Sequence, residues 1–451
     1  MLWTFIRTYV LVAGILFAQA AVAQNILEGY IKTGLDSNLA LRQQNFDLQK
    51  AQLDLKRART LFYPQVDFAS QYTLANGGRT QDIPIGDLLN NVYSTLNELT
   101  SSQKFPQVQN QNIAFLPNDF HDTRLEVTVP VVNMDIRYNR QIREEQINTH
   151  RAAIAVYKRE LVRNIKQAYY QYLQAGRSVA IYTNALSLVQ ENLRVSEKMV
   201  NNGTALKEAV LRAKSQVSQV QASLIDATNN RKNAIAYFNF LLNQPLETEV
   251  AIDSAVTEQF APVPPLALEV PAGREELAQL KSSQKVLGTN LKLNKSYLVP
   301  KLNAFYNIGF QGFQLKFNGD QFYQLGGLQF RWNLFRANDN KYKIQQSQLD
   351  MDALENRYKE TEQQLSLQVR TAYNNYYSSL QSVQALRDEV QSAQETYRFT
   401  ERRFREGQAL QLELIDIRTQ LTNAQIRYSL AQLAVLTRAA EVERATASYT
   451  F

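Results

Sequence analysis

Proline and glycine are nearly absent from two long stretches of this chain, and no other feature narrows its possible folds as much. Between Val131 and Gln244 there is no proline, and glycine occurs only as Gly176 and Gly203; from Leu328 to Phe451 there is no proline and one glycine, Gly407. Helix interiors tolerate neither residue well, so each stretch is expected to be helical over most of its length.

Within both stretches, apolar positions recur at alternating steps of three and four. One series runs Leu161, Ile165, Ala168, Tyr172 and onward to Val189, Leu193, Ser196 and Val200; the other runs Leu365, Val369, Ala372, Tyr376 and onward to Ala393, Tyr397, Thr400 and Phe404. A mean step of about 3.5 residues predicts helices supercoiled on partners. Corresponding members are 204 residues apart throughout, and Ala168/Ala372, Tyr169/Tyr373, Tyr172/Tyr376 and Gly203/Gly407 are identical at that offset. The chain is therefore internally duplicated.

New apolar series begin just past the two glycines, with Leu206, Val210 and Ala213 in one copy and Leu410, Leu414 and Ile417 in the other. Each glycine reads as the tip of a helical hairpin. The outgoing helices, of about 65 to 70 residues, would each span roughly 100 Å at 1.5 Å per residue. The first return helix, 207–242, is about half as long, and residues 26–61 have the length to complete it end to end. The second copy repeats the scheme with 275–297 and 410–444.

Each long helix is preceded by strand-like alternation. Val66, Phe68, Ser70, Tyr72 and Leu74 alternate with Gln65, Asp67, Ala69, Gln71 and Thr73, and Leu125, Val127 and Val129 alternate with Arg124, Glu126 and Thr128. In the second copy Leu302, Ala304, Tyr306 and Ile308 alternate with Lys301, Asn303, Phe305 and Asn307, and Leu328, Phe330, Trp332 and Leu334 alternate with Gln329, Arg331 and Asn333; Phe305 breaks the rule. One apolar and one polar face suits a barrel wall between lipid and water, although a soluble sheet packed on helices fits the alternation as well. Four strands cannot close a barrel, which needs about eight, so copies of the chain have to pool them; three copies would leave roughly the width of a conduit. Segments 75–122 and 311–325, with their prolines, asparagines and glycines, are expected to be exposed loops.

The first 23 residues carry Arg7, an apolar stretch from Tyr9 to Ala18 and the small residues Ala21-Val22-Ala23, the pattern of a cleavable secretory signal. Beyond them no apolar run is long enough for a membrane helix, and the mean hydropathy is −0.36. Membrane residence would need strands. The absence of cysteine excludes disulfides and thiol catalysis. A net charge of +7, spread over 49 basic and 42 acidic residues without a dense basic block, speaks against nucleic-acid binding.

In their order and duplicated spacing these elements resemble the TolC family of outer-membrane efflux proteins, across essentially the whole mature chain. The local matches are the strand openings Tyr63-Pro64-Gln65-Val66 and Val299-Pro300-Lys301-Leu302, the strand-to-helix crossings Val129-Pro130-Val131-Val132-Asn133 and Trp332-Asn333-Leu334-Phe335, and the tips Asn202-Gly203-Thr204 and Glu406-Gly407-Gln408. The resemblance implies a mostly α fold with a small β part. A duplicated strand pair plus long coiled-coil helices would assemble as a homotrimer into a twelve-strand β-barrel in outer-membrane lipid, continued by a periplasmic α-helical barrel. It further implies a passive exit duct of a tripartite efflux or type I secretion system, joined by a periplasmic adaptor to an inner-membrane pump. By the same resemblance the adaptor meets Asn202, Gly203, Thr204, Glu406, Gly407 and Gln408, and the acids lining the periplasmic entrance are Glu413 and Asp416. The chain departs from the family pattern at Ala209, with Arg212 three residues later, and at Ala409. An ionic lock on the entrance would therefore use other partners, with Arg212, Arg405 and Arg418 as candidates.

The two histidines, His121 and His150, read as structural or solvated. With no glycine-rich phosphate loop, HExxH helix or nucleophile elbow, no catalytic, metal or cofactor-binding residue is assigned. Tyr172, Tyr182, Tyr376 and Tyr397 recur on the helical seams and suit packing; Tyr72, Tyr306 and Trp332 suit an interfacial aromatic belt. The rival reading, a secreted coiled-coil scaffold without a pore, explains the heptads but leaves the duplicated strands idle. The expected plan is a signal at 1–23, a first repeat at 24–243 with strands near 64–74 and 123–132, a linker at 244–273, and a second repeat at 274–451 with strands near 300–310 and 326–335.

Overall fold

The computed structural model describes residues 26–252 and 273–451, so the expected signal at 1–23 and most of the 244–273 linker lie outside the described residues. In chain order the elements are α1 (Ile26–Ser37), α2 (Leu39–Thr60), β1 (Gln65–Thr73), β2 (Thr80–Ile83), α3 (Ile85–Leu99), β3 (Gln111–Ala114), β4 (Phe120–Val132), α4 (Met134–Asn201), α5 (Lys207–Leu241), α6 (Glu275–Lys295), β5 (Lys301–Phe313), β6 (Phe322–Arg331), α7 (Asp339–Arg405) and α8 (Gln411–Thr446). The described residues form two compact units: one holds those up to Gln52, those within Glu144–Leu287 and Leu349–Phe451, and the other holds Leu53–Arg143 and Gly288–Gln348.

The second of these units is built on one antiparallel sheet in the order β1-β4-β5-β6. Its register aligns Val66 with Val127 and Tyr306, and Phe68 with Leu125 and Ile308, so the apolar halves of the alternating patterns share a face. The other face carries Asp67, Glu126 and Asn307, together with Arg124, which pairs with Asp122 and lies 3.5 Å from Glu126. On the apolar face Val66, Phe68, Leu328 and Phe330 are each at least 61% exposed. Apolar surface this bare calls for lipid or another chain.

Phe305, the exception to the alternation, lies on the polar face beside Gly327, where a Cβ would stand 2.9 Å from the ring's Cζ. The ring occupies the space that the glycine leaves open. Pro130 has no N–H to give to the ladder, and the register between β4 and β5 shifts between Pro130 and Val132. Asn133 then caps α4, its Oδ1 accepting from the N–H groups of Asp135 (3.1 Å) and Ile136 (3.4 Å).

Three expectations need correction. The strand expected at 326–335 is β6, which ends at Arg331 opposite Lys301; Pro300 cannot extend the partner strand, so Trp332 and Leu334 keep the alternation without a ladder. The loop expected at 311–325 is shorter, because β5 runs to Phe313 and β6 starts at Phe322, leaving 314–321 as the turn between them. Segment 75–122 contains the paired strands β2 and β3 with α3 between them.

In the helical unit the predicted seams are buried or half-buried. Leu161, Ile165, Ala168 and Tyr172 of α4 pack with Ile31 of α1 and with Phe238 and Leu242 at the end of α5; Val369, Ala372 and Tyr376 of α7 pack with Val435 and Val442 of α8. The helix expected over 26–61 breaks at Asn38, and that residue explains the break. Its Oδ1 accepts from Leu41 N–H (3.0 Å) to start α2, and its Nδ2 donates to the Leu241 carbonyl (3.0 Å), while Ser37 Oγ donates to the Leu242 carbonyl (2.6 Å). The final carbonyls of α5, which lack helical donors, are thus satisfied at the joint where α2 begins.

The second copy makes the same joint with different chemistry. Arg274, fully buried, donates to the carbonyls of Ala445 and Arg444 at the end of α8, and Glu276 grips its guanidinium at 2.9 and 2.7 Å. Asn38 and Arg274 each precede a strand-opening proline, Pro64 or Pro300, by 26 residues, and Leu241 and Ala445 are 204 residues apart. The two residues therefore hold equivalent places in the duplication. Asn38→Ala removes a cap and orphans a carbonyl, and is expected to cost about 1–3 kcal/mol. The readout is the denaturant midpoint of the helical circular dichroism signal; an unchanged midpoint would remove this joint from the account of stability.

Candidate functional site

The hairpin tips come first, because their backbone fixes everything around them. Asn202, Gly203 and Thr204 close α4: Gly203 N–H donates to Val200 O (3.0 Å) and Thr204 N–H to Met199 O (2.9 Å). Glu406, Gly407 and Gln408 close α7 in the same way, with Gly407 donating to Phe404 O (3.0 Å) and Gln408 to Arg403 O (2.7 Å). This is the Schellman pattern, and it needs a left-handed residue at the glycine position. Gly203 and Gly407 have φ of 72° and 74°. The return helices α5 and α8 start after Leu206 and Leu410, both extended, neither providing a side-chain cap, and 75% and 74% exposed. Each tip thus displays one bare leucine.

The two acids behind the second tip differ in their surroundings. Glu413 lies 3.2 Å from Arg403, which reaches back across the turn from α7 and also donates to the Gln408 carbonyl at 3.2 Å. Asp416 accepts from Gln420 Nε2 (2.9 Å) one turn along its own helix. Of the basic residues named from sequence, Arg405 pairs with Glu401 (3.0 Å), and Arg212 is exposed and makes no ion pair among the described residues. Arg418 is buried: its Nη1 donates to Leu188 O on α4 and its Nη2 to Tyr397 Oη on α7, each at 2.9 Å, with the guanidinium 5.4 Å from the Tyr397 ring centroid. It ties the second hairpin to the first and is not a partner for Glu413.

Arg403 was missed because position 199 in the other copy is a methionine, so the duplication gives no hint of a charge there. Further contacts hold the start of α8 against the first hairpin. Gln411 Nε2 donates to Ser196 Oγ (2.7 Å) and to the Ala209 carbonyl (3.1 Å), and Gln216 Nε2 donates to Thr419 Oγ1 (3.4 Å).

Elsewhere in the helical unit, buried and half-buried charges gather around the last residues of the chain. Arg159 pairs with Glu275 and donates to Tyr449 O (3.0 Å), Lys166 pairs with Glu443 (2.8 Å), and Arg444 pairs with Glu160 (2.8 Å). The Tyr449 hydroxyl donates to Glu28 (2.9 Å); burial, with that carboxylate, holds its pKa above the ordinary tyrosine value. His121 is buried in the other unit and His150 lies within α4. Among the described residues no group of His, Cys, Asp and Glu could hold a metal ion, and no helix is long and apolar enough to cross a membrane.

A family model described as outer membrane efflux protein matches residues 31–244 and 267–448. The chain belongs to that family. Among its relatives in the outer membrane efflux protein family, the outer membrane protein TolC of Salmonella enteritidis is 22% identical over 438 residues, covering 93% of this chain and 82% of its own length. The alkaline protease secretion protein AprF of Pseudomonas aeruginosa is 22% identical over 295 residues, covering 62% of this chain and 59% of its own. The solved Campylobacter jejuni CmeC outer membrane channel aligns with a TM-score of 0.73 at 13% identity, over 94% of this chain and 85% of that one. The fold is therefore that of TolC-like outer-membrane channels, and membership places the protein in the outer membrane as an export duct.

Proposed function

We propose that three copies of this chain pool their sheets into one twelve-strand barrel, and that the assembly serves as the passive exit duct for a periplasmic adaptor and an inner-membrane pump. The observation that carries this reading is the open sheet, apolar on one face and polar on the other, with the outer edges of β1 and β6 unpaired among the described residues. Unpaired backbone cannot remain in hydrocarbon, and β1 and β6 run antiparallel, so β6 of one copy can continue the ladder onto β1 of the next. The polar faces, with Asp67, Asp122, Arg124 and Glu126, would line the lumen.

The tips Asn202, Gly203, Thr204, Glu406, Gly407 and Gln408, each beside a bare leucine, form the surface offered to the adaptor. Glu413 and Asp416 would form two acidic rings about the threefold axis, where like charges favour a bound cation. Energy comes from the pump, and adaptor contact shifts a closed population toward the open one. The similarity to a relative named for alkaline protease secretion supports polypeptides as one class of cargo.

Purified protein is expected to run as a trimer by native mass spectrometry and to conduct ions in a planar bilayer; a monomer, or reproducible absence of conductance, would favour the pore-free scaffold. Glu413→Ala with Asp416→Ala is expected to weaken block by divalent or trivalent cations added on the periplasmic side at least tenfold, since losing about 1.4 kcal/mol of attraction suffices for that factor. Unchanged block would take both residues out of the gate.

A further inference from the structure

Between β1 and β4 the chain inserts residues 74–119, and this insertion is an ordered subdomain. Segment 103–112 is strapped along one side of α3 by asparagine side chains. Asn90 accepts from Val108 N–H (2.8 Å) and donates to Val108 O (2.9 Å); Asn97 does the same with Phe105 at 3.1 and 2.7 Å; Asn110 Oδ1 accepts from Asp87 N–H at 3.1 Å. Positions 87, 90 and 97 thus face the strap. The other side of α3 carries Leu88, Val92 and Leu99, at helical steps of four and seven and 68%, 53% and 77% exposed. A helix fixed on its polar side and bare on its apolar side is suited to meet a partner.

A second bare apolar surface lies at the opposite edge of the sheet. The turn 314–321 between β5 and β6 presents Leu315 and Phe317, 63% and 54% exposed. Buried His121 holds that turn in shape: its Nε2 lies 2.9 Å from the Lys316 carbonyl and 3.0 Å from Gln321 Oε1, and its ring packs against Phe317 at a centroid distance of 5.0 Å. Both surfaces belong to the same end of the sheet, because Thr73 at the end of β1 pairs with Phe120, which pairs with Phe313 at the end of β5.

We propose that Leu88, Val92 and Leu99 of one subunit dock on the β5–β6 turn of a second copy of this chain, at Leu315 and Phe317, and so clasp the outer rim of the barrel. The proposal rests on the shared barrel described above. There, the neighbour's β6 lies beside β1 at the usual strand spacing of about 4.8 Å, so its turn stands next to the point where the insertion leaves β1. Each subunit gives one apolar helix face and receives one apolar turn. Such a head-to-tail contact closes into a ring.

The test is photo-crosslinking with p-benzoylphenylalanine placed at Val92 and, in a separate variant, at Leu99, which is exposed enough to tolerate it. Irradiated protein in its native membrane is expected to give covalent dimer and trimer bands on a denaturing gel, with the crosslinked peptide of the second copy falling within 313–322. Crosslinks confined to the probe's own chain or to lipid, or none at all, in material that native mass spectrometry finds trimeric, overturn the clasp and leave the barrel standing. Monomeric material overturns the shared barrel and the clasp together.

Discussion

Arg274→Met should lower the unfolding free energy by about 3–5 kcal/mol at neutral pH, the usual cost of deleting one member of a buried ion pair. Three losses combine. The carbonyls of Ala445 and Arg444 lose their donor at the end of α8, the interior loses a well-packed side chain, and Glu276 loses the guanidinium that holds it at 2.9 and 2.7 Å. Burial alone would raise the Glu276 pKa, but the hydrogen bonds and charge of Arg274, helped by Arg444, outweigh it and hold the carboxyl below its ordinary value. A depressed carboxyl contributes stability above its unfolded pKa of roughly 4.3 and loses it as the pH falls through the folded value. The deficit of the variant should therefore shrink on acidification below about pH 4. Denaturant unfolding at neutral and acid pH reads both effects; a deficit under about 1 kcal/mol, or one that does not change with pH, would show that Arg274 does not clamp this joint.

Arg418→Ser should open the periplasmic end. The wild-type guanidinium joins α8 to the Leu188 carbonyl and to the Tyr397 hydroxyl with two 2.9 Å hydrogen bonds, both given by a charged donor. Such bonds contribute about 1.5–3 kcal/mol each, and serine is too short to make either. On the trimeric reading the loss is repeated in every subunit, so the ratio of open to closed time in single-channel recordings should rise at least tenfold. The exposed Arg403–Glu413 pair sets the contrast. At 51% and 41% exposure it is worth at most about 1 kcal/mol, so Arg403→Ser should change conductance little by comparison. Equal effects of the two substitutions, or none from Arg418→Ser, would move the closing contact elsewhere.

The long helices, their buried seams, the duplication and the alternating strands were legible because each is periodic over many residues. What escaped depended on pairs without a period. Phe305 violated the alternation on its own strand, and the glycine that makes room for it lies 22 positions away on the next. The equivalence of Asn38 and Arg274 was hidden because it follows the spacing of the strand-opening prolines and not the 204-residue offset, and because the two side chains share nothing but an ability to donate. In 75–122, Pro84, Pro106 and Pro117 suggested loop, yet Pro84 stands just before α3 and the asparagines hold its strap. Arg418, named as a partner for the gate acids, proved to be a strut between hairpins, since its direction depends on which helices surround it.

The open edges of β1 and β6 also constrain how this protein is made. On the shared-barrel reading, a newly exported chain carries two rows of backbone groups and a lipid-seeking face that only its neighbours satisfy. Maturation then has to be a meeting of several molecules, and its yield should climb with their concentration far more steeply than that of a one-chain barrel. Too few copies in the periplasm would leave stranded intermediates whose sticky edges invite the wrong neighbours.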